Sequence, residues 1–180
     1  MRQSLVVCAA AVLGCALNLA AADPAPTPPG GTAVWKTVDH SFSYQGFTSH
    51  YTCDGLRDKL RQALLDLGAR ADLSLSTSGC IGSRPSPFPE VQIHMSVLQP
   101  VDGTAPAGAV QAQWTPVSLA GFDKLEAGDC ELLHQIKDDL LPLFPTRDVT
   151  IRADCVPHEL PVHVQLSAVV LKLPETMSQR

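Results

Sequence analysis

Residues 51–80, "YTCDGLRDKLRQALLDLGARADLSLSTSGC", read as one helix followed by one strand. Leu56, Leu60, Leu64 and Leu67 recur at i, i+4, i+8 and i+11, an apolar stripe along a single helical face. Asp54 and Asp58 put negative charge in the first turn, where the helix dipole favours it, and Gly68 follows the last apolar residue as a stop. Beyond Arg70 and Asp72 the alternation "LSLS" predicts a short strand that ends near Cys80.

The same plan returns at residues 130–155, "CELLHQIKDDLLPLFPTRDVTIRADC". Each copy opens with cysteine and an acid, Asp54 or Glu131, and has leucine three places on, Leu56 or Leu133. Leu64 then matches Leu141, Leu67 matches Phe144 and Arg70 matches Arg147 without a gap. The second helix uses Leu133, Ile136, Leu140 and Leu143, with Pro142 expected to disturb its last turn and Pro145 to halt it. After the second cysteine, a Pro-containing loop leads to "VQIHMSV" from Val91 and to "VHVQLSA" from Val162, which run in step. "FTSHYT" (residues 47–52) and "VQAQWTPVSL" (residues 110–119) supply strand-like sequence ahead of the two helices.

The expected architecture is α+β: two βαββ-like repeats forming a mainly antiparallel sheet, with both helices packed on one face. The first repeat occupies residues 34–100 and the second residues 110–174, with residues 101–109 as a turn-rich connector and residues 175–180 as a tail. If the copies fold alike, the equivalent disulfides are Cys53 to Cys80 and Cys130 to Cys155, with Cys53 to Cys130 as the competing arrangement. They close loops of 27 and 25 residues, each worth about 3.5 kcal/mol in the loop-entropy picture.

The first 22 residues have the form of a secretory signal: Arg2, an apolar run over residues 4–19, and Ala20, Ala21 and Ala22 before Asp23. Two other readings attach to this stretch, a retained membrane anchor and a lipid-modified Cys15 after Val12, Leu13 and Gly14. Residues 23–33 follow as a Pro-rich flexible arm. Removing the leader takes one of 13 basic residues and none of the 18 acidic ones, which leaves a net charge of −6. A negative domain without a basic stripe fits neither nucleic acid nor an anionic lipid surface. Four cysteines remain, and an even count in an exported chain is read first as two disulfides.

Candidate chemistry is sparse. Cys53 and Cys130 at helix starts are positions where a thiol can become reactive, but each has a repeat-equivalent partner that would consume it. Arg70 and Arg147 are either related anion-binding positions or local salt bridges to the aspartates that follow them. Six histidines invite a metal, with His94 and His163 as candidates; His94 and Met95 alternate on a strand and so face opposite sides. Phe88, within "IGSRPSPFPE", is either a partner contact or a plug at the edge of the core. There is no C-x-x-C, G-x-S-x-G, H-E-x-x-H or Gly-rich phosphate loop, and no cofactor is expected.

The segment "YTCDGL", "LLDLGAR" and the closing "GC", from Tyr51 to Cys80, resembles one found in uncharacterised exported proteins of Gram-negative bacteria. The likeness extends more weakly from Cys130 to Val149 through "CELLHQIKDDLLPLF" and "RDV". It implies a bacterial envelope setting and carries no activity. The expected function is a non-catalytic binding or structural role in the periplasm or outside the cell, with an envelope protein as partner and no membrane span after leader cleavage. The alternatives are metal binding through His94 and His163, and an enzyme whose residues converge only on folding.

Overall fold

The computed structural model describes residues 30–47, 49–80, 84–86, 88–120, 125–153, 155–156 and 164–174. The leader, Cys15, residues 23–29, His163 and the tail lie outside the described residues. Six strands and two helices follow one another as β1 (Gly31–Ser43), α1 (Cys53–Asp66), β2 (Ser74–Ser78), β3 (Glu90–Pro100), β4 (Val110–Ser118), α2 (Cys130–Gln135), β5 (Thr146–Ala153) and β6 (Val164–Lys172). Each half is therefore strand, helix, strand, strand. The strands form one antiparallel sheet in the order β2-β3-β1-β4-β6-β5, so that both halves read the same way outward from the central β1–β4 pair.

Both helices cover the same face. Leu56, Leu60 and Leu64 of α1 and Leu132 and Leu133 of α2 share one core with Val91, Ile93, Met95 and Val97 of β3 and Leu166, Ala168 and Val170 of β6. On the opposite face Ala33, Leu98, Ala112, Trp114 and Leu171 make a second, smaller cluster flanked by Trp35 and Val169. Alternation along the strands delivers the two sets to opposite sides.

Local sequence explains both helix ends of α1. The Thr52 hydroxyl caps the first turn by accepting from the Gly55 N–H at 3.1 Å. At the other end Gly68 adopts φ +101°, its N–H bonds to the Leu65 carbonyl and the Ala69 N–H reaches back to Leu64, a Schellman closure. A Cβ on Gly68 would lie 2.9 Å from the Leu171 carbonyl oxygen, so glycine also lets the second half come close to the end of the first helix.

The second helical segment changes winding three times. A 3-10 turn at Ala127–Asp129 leads into α2, a π turn occupies Ile136–Leu140, and a 3-10 turn ends the segment at Leu141–Leu143. Pro142 explains the last two changes, since its ring cannot sit against the carbonyl of residue 138 in a regular α-helix.

Two expectations need correction. The strand ahead of α1 is β1, which takes in Gly31, Thr32 and Ala33 from the Pro-rich arm; the described residues of "FTSHYT", Phe47 and residues 49–52, belong to no strand, and Tyr51 makes a single bridge to Ser86. The reason is a distant residue: the Phe47 and Ser49 N–H groups donate to a Glu131 carboxylate oxygen and so do not enter a ladder. The β3 and β6 strands also match two residues away from the in-step alignment. Trp35 opposes Leu98 and Trp114 opposes Leu171, which sets Gln92 with Gln165 and Val91 with Val164. A slip of two keeps every side chain on its own face, so the apolar pattern cannot distinguish the two alignments.

Phe88 is 69% exposed, which removes the reading that it plugs the core. Leu133→Ala or Leu56→Ala, each at a fully buried position, is expected to lose about 2–5 kcal/mol in urea denaturation, against less than about 0.5 kcal/mol for Phe88→Ala.

Candidate functional site

Cys53 pairs with Cys80 and Cys130 with Cys155, at Cα separations of 6.1 and 5.7 Å. Each bond joins the start of a helix to the chain just past the following strand. Neither Cys53 nor Cys130 is then a free nucleophile.

The helix-free face brings the two arginines under a common geometry. The Arg70 guanidinium lies 5.6 Å from the Trp35 ring centre, and that of Arg147 lies 3.8 Å from the Trp114 ring centre. Backbone pairing positions both in the same way: the Arg70 N–H bonds to the Ser96 carbonyl, two residues before Leu98, and Arg147 sits opposite Val169, two residues before Leu171. Their electrostatics differ. Arg70 is bound to Asp72 at 2.7 Å, and this hydrogen bond holds the Asp72 carboxyl below its usual range. Arg147 is exposed and has no carboxylate partner among the described residues. Its neighbour Asp148 takes φ +50°, inside a bulge between Arg147 and Thr150 that bends β5 at the sheet edge.

Away from the tryptophans this face is polar. His94 Nδ1 lies 2.6 Å from Asp39, Gln92 donates to Ser41, and Ser78 and Ser41 both donate to Glu90. His94 is exposed while Met95 is buried, as alternation requires. The other histidine expected to join it, His163, is outside the described residues.

A second polar cluster lies at the opposite side of the sheet, where the residues before α1 cross the start of α2. Asp129 is buried and accepts from the Tyr51 hydroxyl at 2.5 Å, Lys59 at 2.7 Å and the Glu126 N–H at 2.8 Å. Glu131 accepts from the N–H groups of Phe47 and Ser49 and from Tyr44. Tyr44 and Tyr51 meet edge to face with ring centres 4.9 Å apart. Burial first, and the neighbouring acids after it, push both phenols far above their usual range. Beside this cluster, Asp58, Lys59, Gln62, Ala63, Asp66, Leu119, Leu125 and Glu126 line a cleft of about 310 Å³, with neither arginine among them.

No family model, no curated protein and no solved structure matches the chain. The site is therefore read from its own geometry.

Sequence reasoning found both arginines but missed both tryptophans that carry them. Trp35 and Trp114 are the chain's two tryptophans, and each lies in a strand ahead of a helix, a signal that inspection can use. Asp129, Tyr51 and Lys59 gave no such sign, because the residues that bury Asp129 come from 70 or more positions away.

The two tyrosines are the only ones in the chain, so their ionisation can be followed directly. A folded-state phenol pKa raised above the unfolded value of about 10 contributes stability that is complete below pH ~10 and is lost as pH rises further. Phenolate absorbance is expected to appear only together with alkaline unfolding. Tyr51→Phe should flatten the loss of stability above pH ~10, and early titration of both phenols in the folded protein would contradict their placement.

Proposed function

We propose that this chain is an exported protein of the bacterial envelope that works by binding a protein partner through the helix-free face of its sheet, without catalysis. The observation that carries the reading is Arg147, an exposed residue whose guanidinium lies over the Trp114 ring and has no carboxylate partner among the described residues. A guanidinium held over an indole has lost much of its side-chain freedom, so little further ordering is needed when it meets a carboxylate. Its counterpart Arg70 has Asp72 in that role within the chain. The partner chemistry that fits is an acidic side chain presented to Arg147.

The setting has separate support. The leader-like first 22 residues and the resemblance of residues 51–80 to exported proteins favour the envelope, and two disulfide pairs suit an oxidising compartment. Among the described residues no helix is long and apolar enough to cross a membrane. We also read the two βαββ units as an internal duplication, supported by the matching cysteines, arginines and strand order. On that reading one copy keeps its exposed arginine neutralised by an aspartate, and the other has no carboxylate on it among the described residues.

Crosslinking in native envelopes followed by affinity capture tests the proposal. The wild-type chain is expected to recover a specific protein, with recovery falling about tenfold for Arg147→Glu, as expected when a charge-assisted contact is lost. Lys137→Gln, on the helical side, should leave recovery unchanged. Equal capture by wild type and Arg147→Glu, with circular dichroism showing both folded, would remove this face as the binding surface.

A further inference from the structure

The two disulfides sit in similar places but have different neighbours. Four residues after Cys53, one helical turn on, stands Arg57, held by Asp54 at 2.8 Å and by Asp58. Four residues after Cys130 stands His134. The sulfurs of Cys130 and Cys155 and a ring nitrogen of His134 all lie within 4.8 Å of one another. Two of the three come from one helical face, since i and i+4 are neighbours on α2.

His134 is also held by the backbone. Its Nε2 lies 3.0 Å from the Ala153 carbonyl oxygen, an acceptor only, so the hydrogen bond requires the proton on Nε2 and leaves the lone pair on Nδ1. This is the arrangement in which a backbone carbonyl fixes the tautomer of a metal-ligating imidazole.

We propose that the Cys130–Cys155 pair is a redox-gated metal site: once reduced, Cys130, Cys155 and His134 bind one thiolate-seeking cation, Cu(I) or Zn(II). Thiolate and imidazole donors suit both ions, and a water can complete the tetrahedron that Zn(II) prefers. Reduction by a dithiol supplies two electrons and two protons, cleaves the Sγ–Sγ bond to two thiols and converts the reductant to its own disulfide. Metal capture then releases both thiol protons and joins the metal to two thiolates and the neutral imidazole. Cys130 is buried and Cys155 is less so, which makes the Cys155 side the more open approach for a reductant among the described residues. Among the described residues the first pair offers no counterpart, because Arg57 stands at the position where the second half has its imidazole. This inference is independent of the binding role assigned to the helix-free face.

The full chain, reduced under anaerobic conditions, is titrated separately with Cu(I) and Zn(II) against a chromophoric chelator, and its free thiols are then alkylated and mapped by mass spectrometry. The expected result is one equivalent of at least one ion, with Cys130 and Cys155 protected and Cys53 and Cys80 labelled. The oxidised chain should bind none. His134→Ala should weaken binding by about tenfold or more, whereas Cys53→Ser with Cys80→Ser should leave it intact. If reduction loosens the fold, added metal should restore the circular dichroism signal, because metal binding is then coupled to folding. No stoichiometric binding, protection of Cys53 and Cys80 instead, or unchanged affinity in His134→Ala would each overturn the proposal.

Discussion

The two halves of the sheet are hydrogen-bonded to each other through three residue pairs, Gly31 with Ala112, Thr32 with Gln111 and Ala33 with Val110. By comparison β1 pairs with β3 over its length from Ala33 to Ser43. So short a ladder makes a weak hinge between two strongly paired half-sheets, and the relation of the halves must be secured elsewhere. The shared core does this on one face, because α1, α2, β3 and β6 all contribute to a single apolar cluster. Apolar burial is non-directional, however, and by itself would not choose one relative placement.

Placement is specified by polar contacts that cross from one half to the other. Asp129 and Glu131 flank Cys130 and take hold of the β1–α1 connection through Tyr51, Phe47 and Ser49 and of α1 itself through Lys59. A buried carboxylate with several donors is costly to misplace, since any other arrangement strands a charge in a low-dielectric site. The close approach of Gly68 to the Leu171 carbonyl adds a steric condition from the end of α1.

The departures from similarity between the halves are informative for the same reason. A fold built from two like units gives equivalent positions equivalent backbones, so differences there reflect the side chains chosen. Arg70 has Asp72, whereas the aspartate beside Arg147 is one residue earlier, in a left-handed conformation within a bulge. Arg57 stands where the second half has His134. The second half thus has an arginine without a carboxylate partner among the described residues and sets an imidazole beside its disulfide. Both features lie on one unit and neither is required for packing.

Much of this fold was legible in the chain. The stripe of Leu56, Leu60, Leu64 and Leu67, the return of its plan at Cys130, and the cysteine pairing that the return implies all follow from periods and spacings. Such signals are local, or repeat at a fixed offset, so a linear reading can detect them. Tertiary structure alone decided that "FTSHYT" gives up its strand for the carboxylate of Glu131, that β3 and β6 align with a two-residue slip, and that each arginine rests on a tryptophan. Strand periodicity is blind to a slip of two, and the partners of Asp129 and the arginines are brought together only by the sheet. The helix faces and the staples were determined by residues near one another in sequence; the sites depended on side chains that meet only after the two halves close.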